Sequence, residues 1–316
     1  MSLNPVHNVL PPIASGATRP SGFSPASGPK SKYAVSAPSL WTAFWREFCL
    51  ENQPHERCPI PGDGRSAVDR HWVYFAEDLP LGAHVIDLGC GAGVVGRTLL
   101  SHRRDLKVTG VDFADVPALH MANLTIHPWV NMEELPFDDG CFDAAISLFG
   151  IEYSNIDQTA RELTRVLKPG AAFSFLVHHH ESEILCEGAA RRRALRELLS
   201  GKVRAAFLAG GIPGIDQQIR RLKSEFRGDP SITHFSRYLR HKITDTRAQR
   251  QVTWQGMLDG LGPEIALLTH LQRSAKSAVE MGNWLASLLP IMNTVSVSVL
   301  RRRSGQPIAW QVNGNR

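Results

Sequence analysis

The sequence predicts an α/β fold built around a mostly parallel sheet, and two observations carry this prediction. Between residues 83 and 177, short apolar runs alternate with helical patterns in the order strand, helix, strand, turn, strand, strand, helix, strand. This alternation is typical of a parallel sheet with helices on both of its faces. Near the C-terminus, a strictly alternating run at 294–300 and an apolar run at 308–312 flank a turn, which predicts a hairpin.

Composition excludes several classes of protein. Of the 316 residues, 43% are hydrophobic, as in ordinary globular proteins, and no apolar run approaches the ~18 residues that a membrane helix needs. The 5 cysteines are scattered without a C-x-x-C pair, which argues against a disulfide framework or a zinc site. We therefore expect a protein of the reducing cytoplasm that has no membrane partner.

The chain divides into four segments at shifts of composition. The first is rich in Pro, Ser and Gly and lacks the apolar core of a secretory signal, so we expect a disordered tail. The second carries two helical patterns; the first should begin at Ser39, and its aromatic stripe is more typical of packing than of ligand binding. The third contains the predicted sheet, and the fourth interrupts that sheet with helices. In this order the segments are residues 1–38, 39–82, 83–180 with 289–316, and 181–288.

A glycine-rich loop follows the first predicted strand, Val85–Leu88, and opens a helix at Val94. A strand that breaks into glycines and continues as a helix lets a ligand lie on backbone N–H groups at the helix N-terminus. The segment Gly91–Gly96 matches the dinucleotide-binding pattern G-x-G-x-x-G, with Asp112 at about the distance of a ribose-binding acid. Asp87, which stands before the first glycine, favours a different ligand.

The pattern Asp87-x-Gly89-x-Gly91-x-Gly93 resembles motif I of the class I S-adenosylmethionine-dependent methyltransferases. Later segments resemble the same family in the family's order, so the resemblance covers residues 83–178. It is closest to the ubiquinone/menaquinone-biosynthesis-type branch (methyltransferase domain 11-like), whose members methylate small molecules. It implies a Rossmann-like, seven-stranded, mostly parallel sheet with an antiparallel terminal strand, plus a helical insertion between strands five and six.

The same resemblance implies a set of contacts with the cofactor, S-adenosyl-L-methionine. The carboxylate of Asp87 would help to hold the methionine amino group, and Asp112 would take both ribose hydroxyls in a bidentate, charge-assisted contact. The third strand and the adenine loop would lie at Val130–Phe137, where Asn131 stands in place of the usual acid. The expected cofactor-binding residues are Asp87, Gly89, Cys90, Gly91, Gly93, Asp112, Phe113, Asn131, Met132, Glu133, Leu148 and Phe149.

Candidate catalytic residues follow the fourth and fifth predicted strands. Methyl transfer requires the acceptor atom to be held about 3 Å from the methyl group, and it requires a base only if the acceptor loses a proton. Glu152 and Tyr153 come after the fourth strand, and His178 and His180 come after the fifth. Consecutive histidines on an extended chain point in alternate directions, so they cannot all ligate one ion, and we expect no metal.

These observations favour a methyltransferase that moves a methyl group to O, N or C of a small-molecule acceptor. Residues 181–288, which we call the cap, would cover that acceptor because an insertion after the fifth strand emerges at the cofactor edge of the sheet. Between residues 187 and 251, fifteen Lys and Arg stand against six Asp and Glu, so this positive charge either attracts an anionic acceptor or faces solvent.

Two alternatives stay open. The basic part of the cap favours a methyltransferase of RNA or another macromolecule, although it lacks the interleaved aromatic residues expected of single-strand binding. A non-catalytic protein that binds S-adenosylmethionine is the other alternative, and the intact motif I argues against it.

Overall fold

The computed structural model of the protein describes residues 37–51 and 63–316. The tail predicted at residues 1–38 thus lies almost wholly outside the described residues. The helix expected to begin at Ser39 begins at Ala37. The α-helices of the described chain are α1 (Ala37–Glu51), α2 (Asp63–Glu77), α3 (Val94–His102), α4 (Ile156–Val166), α5 (Glu183–Leu198), α6 (Gly201–Ala209), α7 (Ile212–Glu225), α8 (Pro230–Lys242), α9 (Arg247–Ser274) and α10 (Ala278–Ala286).

The described chain forms two compact units. The sheet unit comprises residues 36–187 and 270–316, and the helical unit comprises residues 188–269. Among the described residues, no helix combines the length and the apolar character that crossing a membrane requires. The strands of the sheet unit are β1 (His84–Leu88), β2 (Lys107–Asp112), β3 (Leu119–His120), β4 (Leu124–Pro128), β5 (Phe142–Leu148), β6 (Leu167–His178), β7 (Thr294–Arg301) and β8 (Pro307–Asn315).

The described strands form one sheet in the order β3-β4-β2-β1-β5-β6-β8-β7. The five strands from β4 to β6 pair in parallel, whereas β3 and β8 are antiparallel to their neighbours. The strand order reverses between β1 and β5, and in open α/β sheets ligands bind outside the carboxyl ends of the strands at such a switch point. The fold therefore places its binding edge where the glycine loop follows β1.

The structure confirms the predicted fold class and corrects two of its details. The described sheet has eight strands instead of seven because the two-residue strand β3 pairs with β4 at one edge. The third parallel strand is β4, which ends at Pro128, so the predicted segment Val130–Phe137 forms turns and no strand. Because β4 ends in the polar His127 and in Pro128, it lacks the continuous apolar run by which the other parallel strands were recognised.

Two apolar layers fix the sheet between its helices. Alternate side chains of β1 point to opposite faces, as the period of two requires. Val85 packs in the layer that contains Trp72 and Leu99, from α2 and α3. Its neighbour Ile86 packs in the layer of α4 and α10, which includes Leu163. The helices that flank the glycine loop are thus anchored by fully buried side chains.

The helical unit has a core of its own, which includes Leu195, Phe207, Leu222 and Trp254. Its buried Arg250 donates hydrogen bonds to the carbonyl oxygens of Leu208, Ile243 and Asp245, which satisfies backbone acceptors at the C-terminal ends of α6 and α8. The longest described helix, α9, continues through the segment 260–263, although two glycines and a proline, which usually interrupt helices, stand there.

Candidate active site

The glycine loop, residues 89–93, turns sharply between β1 and α3. The N–H groups of Gly89 and Cys90 both donate to the carbonyl oxygen of Val111, at 2.9 and 3.0 Å. The φ angles of Gly89, Gly91 and Gly93 are 66°, 51° and 78°, which is the left-handed region that favours glycine. The loop is therefore held to β2 by its backbone, and it has few side chains that could stand between the backbone and a ligand.

Close packing adds a second reason for glycine. A Cβ atom on Gly89 would lie 2.8 Å from the Cα atom of Gly150, at the end of β5. A Cβ atom on Gly93 would lie 2.6 Å from the Cδ1 atom of Ile126 in β4. Cys90 is buried and points its sulfur at Gly110, and burial raises the pKa of its thiol well above the usual value. This cysteine therefore fills space and is unsuited to act as a nucleophile.

Asp87 is a buried carboxylate, 1% exposed, at the carboxyl end of β1. Neither of its oxygens has a hydrogen-bond partner among the described residues. The pKa of Asp87 is raised to about 7, chiefly by burial and also by the charge of the nearby Asp112, while the N–H group of Gly96 opposes the rise. A buried carboxylate in this state is poised to pair with a cation.

Asp112 lies at the carboxyl end of β2, and burial raises its pKa. One of its oxygens accepts the N–H of Gly91 and the other accepts the N–H of Ala114, both at 2.8 Å. A carboxylate has about four lone-pair positions, so each oxygen can accept one more hydrogen bond. Asp112 thus ties the glycine loop to β2 and still has two positions for a diol.

Helix α1 lies against the glycine loop. The indole ring of Trp45 contacts Gly91 on the side where a Cβ atom would stand. The helix is fixed there by an ion pair between Arg46 and Asp115, and by the N–H of Asp115, which donates to the Thr42 hydroxyl at 2.9 Å. The aromatic stripe, taken from the sequence as a packing face, therefore packs on the candidate cofactor loop.

The predicted adenine loop follows β4 and lies beside the end of β2. The N–H of Val130 donates to the carbonyl oxygen of Asp112 at 3.0 Å. The side-chain oxygen of Asn131 accepts the N–H of Glu133, and Met132 is buried. Phe113, the other aromatic expected here, is 46% exposed. A groove of about 330 Å³ adjoins this loop, lined by Asn131, Glu133, Glu134, Gln158, Arg161 and Glu162.

Phe149 follows β5 at the switch point. Its φ angle of 56° is rare for a residue with a side chain, so the surroundings must hold it there. Its N–H donates to the carbonyl oxygen of Leu176 at 2.8 Å, and its ring stacks on His178 with centroids 4.0 Å apart. Leu148, the last residue of β5, is half-buried beside it. The ends of β5 and β6 are thus joined across the candidate site.

Glu152 and His178 form a buried polar pair, each 5% exposed. One oxygen of Glu152 accepts the backbone N–H of His178 at 2.9 Å. The other Glu152 oxygen and the Nδ1 atom of His178 have no hydrogen-bond partner in the part of the chain that the structure describes. Burial raises the pKa of Glu152 to about 7 and lowers that of His178 to about 3, so the histidine is neutral.

Tyr153 extends this pair toward a residue that the sequence did not single out, His270. The ring of His270 stacks on Tyr153, with centroids 5.1 Å apart and planes 18° apart, and the Trp41 ring meets Tyr153 edge-on at 5.1 Å. Burial raises the pKa of Tyr153 well above its usual value. His270 stands on α9, more than ninety residues after His178, and it belongs to no motif, so sequence spacing gave no signal for it.

The other two histidines of the triplet face elsewhere. His180 has a 45% exposed side chain and lies 3.7 Å from Glu181, whereas the buried His179 stacks on Trp310. Of the predicted catalytic residues, the structure therefore brings Glu152, Tyr153 and His178 together and leaves His180 apart. Within residues 37–51 and 63–316, no three His, Cys, Asp or Glu side chains are grouped so that they could hold a metal ion.

The residues at β1 and β2 fit the cofactor that the resemblance implies. The unpaired carboxylate of Asp87 suits a methionine ammonium group, and Asp112 has free positions for two ribose hydroxyls. Three of the five loop residues are glycines, so they have no side chains of their own between the backbone and a ligand. A pyrophosphate, by contrast, would bring negative charge toward two buried carboxylates, which argues against a dinucleotide.

Comparisons with known proteins agree with this geometry. Residues 86–175 match the family model described as a methyltransferase domain. A sterol 4-C-methyltransferase of Caenorhabditis elegans is 32% identical over 112 residues, which are 32% of this chain and 33% of the relative. A ubiquinone/menaquinone biosynthesis C-methyltransferase of Geobacter sp. (strain M21) is 32% identical over 126 residues, which are 34% of this chain and 52% of the relative.

A solved SAM-dependent methyltransferase from Methanosarcina mazei is 16% identical, covers 76% of this chain and 94% of its own, and superposes with a TM-score of 0.38. The order and directions of the strands define the fold of this chain. The chain spans about a third to a half of the length of the first curated relatives that it matches. Residues 86–175 are a methyltransferase domain with S-adenosyl-L-methionine as its cofactor, and they are similar to ubiquinone/menaquinone biosynthesis C-methyltransferases.

Proposed function

We propose that the whole chain transfers a methyl group from S-adenosylmethionine to a small-molecule acceptor. The observation that carries the proposal is the buried, unpaired carboxylate of Asp87, which lies beside Asp112 and below a glycine loop. Relatives whose names give sterols and quinones as substrates support a small acceptor. In this proposal Asp87 holds the methionine ammonium group and Asp112 holds the ribose hydroxyls.

The remaining cofactor contacts come from the ends of the neighbouring strands. The backbone of the glycine loop would line the methionine moiety, and the segment after β4 would line the adenine. The ordinary hydrogen bond from Glu133 N–H to Asn131 occupies one lone pair of the Asn131 oxygen, so that oxygen can still accept from the adenine amino group. The proposed adenine neighbours are Phe113, Asn131, Met132, Glu133, Leu148 and Phe149.

Glu152 is the proposed base for the acceptor. When bound, S-adenosylmethionine supplies an activated methyl group whose S–C bond breaks while the sulfur keeps the electron pair. The free oxygen of Glu152 would take the proton that the acceptor atom loses on methylation. A carboxyl group with a pKa of about 7 is well matched to this task near neutral pH. His178 fixes the carboxylate through its N–H, so Glu152 need not reorganise.

The cap, residues 181–288, is the proposed cover of the acceptor. One feature supports this role: the insertion follows β6 directly after the strand's carboxyl end at His178. Its excess of positive charge would favour acceptors that carry a negative group away from the reacting atom. The same charge is the observation that favours the second candidate function, methylation of RNA.

One experiment separates these two functions. We would incubate the protein with methyl-labelled S-adenosylmethionine and either a small-molecule cell extract or a mixture of tRNA and random RNA, at two salt concentrations. Label in an extracted small molecule, with RNA binding weak and abolished by salt, is the expected result. Label in RNA together with tight binding would overturn the small-molecule proposal. The Glu152→Gln variant, which keeps the acceptor for the His178 N–H, is the matched control and should lose most of the incorporated label.

A further inference from the structure

Four buried polar atoms of the sheet unit lie together without partners. They belong to Glu152, Tyr153, His178 and His270, and none of them has a hydrogen-bond partner among residues 37–51 and 63–316. Three contacts connect the four residues: the backbone N–H of His178 donates to Glu152, the rings of Tyr153 and His178 meet edge-on at 6.4 Å, and Tyr153 stacks on His270. Each unpaired buried polar atom destabilises a fold, so four in one cluster indicate a ligand.

His270 reaches this cluster from the last turns of α9. Ser274, one helical turn later, places its hydroxyl close enough to Tyr153 to oppose the rise of the tyrosine pKa. The ring of Trp41 lies 6.4 Å from that of His270. Trp41, Tyr153 and His270 thus present three aromatic rings beside the unpaired polar atoms.

The charges of the cluster define what it can bind. Burial lowers the pKa of His178 and the pKa of His270, and the positive charge of the nearby Arg273 also lowers the pKa of His270. Both imidazoles are therefore neutral at neutral pH. Tyr153 is neutral as well. Glu152 is the member that changes charge near pH 7, and Lys276 is the cation whose charge acts on it. A carboxylate among neutral groups accepts a hydrogen bond from a neutral donor and repels an anionic ligand group.

We propose that His270 is an acceptor-binding residue, and that it and Tyr153 hold a neutral hydroxyl-bearing group of the acceptor toward Glu152. This inference rests on the proposed function. It adds His270 to the acceptor-binding residues, and it specifies that the reacting end of the acceptor is uncharged. Any negative group of the acceptor lies away from this cluster. The Nδ1 atom of His270 then gains the hydrogen bond that it lacks among the described residues, and the hydroxyl of Tyr153, beside that of Ser274, gains a further partner.

Three small aromatic probes test the charge and the donor separately. Phenol is neutral with a donor, anisole is neutral without one, and benzoate is an anion. Binding is measured by NMR titration of the full chain saturated with S-adenosylhomocysteine. We expect phenol to bind with a dissociation constant on the order of millimolar, and anisole and benzoate to bind roughly tenfold more weakly, which corresponds to one lost hydrogen bond of about 1.4 kcal/mol.

Variants then test His270 itself. His270→Ala should weaken phenol binding about fivefold to tenfold without changing the affinity for S-adenosylhomocysteine. His270→Asn, whose amide can occupy the place of Nδ1, should restore most of that loss, and Tyr153→Phe should resemble His270→Ala. The exposed His241, in the helical unit, gives the control His241→Ala, which should bind phenol like the wild type.

The outcomes separate the two proposals. Phenol binding that is indifferent to His270→Ala, or an Asn variant as weak as the Ala variant, would mean that His270 only packs against Tyr153, and the inference would be wrong. Equal binding of phenol and benzoate would contradict the neutral-donor assignment. Binding of S-adenosylhomocysteine is measured before any probe is added. If S-adenosylhomocysteine does not bind, the proposed function itself is wrong.

Discussion

The two halves of the candidate site are built in different ways. The cofactor half lies within 26 residues of sequence, from Asp87 to Asp112, and one of its two carboxylates, that of Asp112, accepts a backbone N–H of the glycine loop. The acceptor half joins Glu152, His178 and His270, which come from three separated segments. The first half could be identified from a local pattern, whereas the second required the tertiary fold. The following predictions test whether the halves also act separately.

The largest effect should come from Asp87→Asn. The folded-state pKa of about 7 lies above the unfolded value, so the stability linked to this group is fully present below about pH 4 and is lost as the pH rises through 7. The uncharged amide should therefore stabilise the ligand-free protein at pH 8 by up to about 4 kcal/mol, while affinity for S-adenosylhomocysteine falls roughly a hundredfold.

Urea unfolding at pH 5 and pH 8, together with calorimetry, measures both changes. The exposed Asp138 provides the control Asp138→Asn, which should alter neither quantity. A variant of Asp87 that is less stable than the wild type at pH 8, or that binds S-adenosylhomocysteine normally, would contradict the role given to this carboxylate.

Glu152→Gln should produce a similar change in stability without a change in cofactor affinity. The pKa of Glu152 is raised to about 7, so its carboxylate also costs stability as the pH rises through 7, and the amide should recover up to about 3 kcal/mol at pH 8. The same unfolding experiment applies. A loss of affinity for S-adenosylhomocysteine of more than about threefold would show that the two halves are not separate.

Asp112→Ala tests the proposed ribose contact. Removal of the carboxylate leaves two hydroxyls without their charged acceptor, which should cost roughly 2–3 kcal/mol of cofactor binding, or a tens-fold loss of affinity. Because the carboxylate also accepts the N–H groups of Gly91 and Ala114, the ligand-free protein should lose about 1–3 kcal/mol of stability as well. An unchanged affinity in calorimetry would refute the ribose contact.

A glycine pair gives the smallest and most specific effect. Gly82 and Gly89 have similar φ angles, 70° and 66°, but only at Gly89 would a Cβ atom meet a described neighbour within 4 Å. Gly82→Ala should thus cost about 1 kcal/mol from backbone strain alone, and Gly89→Ala should cost about 1–3 kcal/mol more from contact with Gly150. Equal losses in urea unfolding would mean that the close approach of β1 and β5 is not needed.

Sequence patterns predicted most of the sheet because its parallel strands are short, mostly apolar segments that alternate with helical patterns. They failed at β4, whose five residues end in His127 and Pro128, and at α9, which passes through Pro263. In α9, the buried Trp254, Met257 and Leu261 hold the helix against the local preference of its glycines and proline. His270 was missed for a related reason: its role comes from a contact with Tyr153, and that contact leaves no spacing in the sequence.

The central claim is that a carboxylate titrating near pH 7 binds the ammonium group of the cofactor. Calorimetric titration of the wild type with S-adenosylhomocysteine from pH 5 to pH 8, beside Asp87→Asn and with NAD as the competing ligand, tests it most directly. Because a protonated Asp87 must lose its proton on binding, we predict that the affinity of the wild type falls tenfold for each pH unit below about 7 and is constant above pH 7. The affinity of Asp87→Asn should show no such dependence on pH. NAD should not bind. Affinity that does not change with pH in the wild type, or binding of NAD in place of S-adenosylhomocysteine, would contradict the claim.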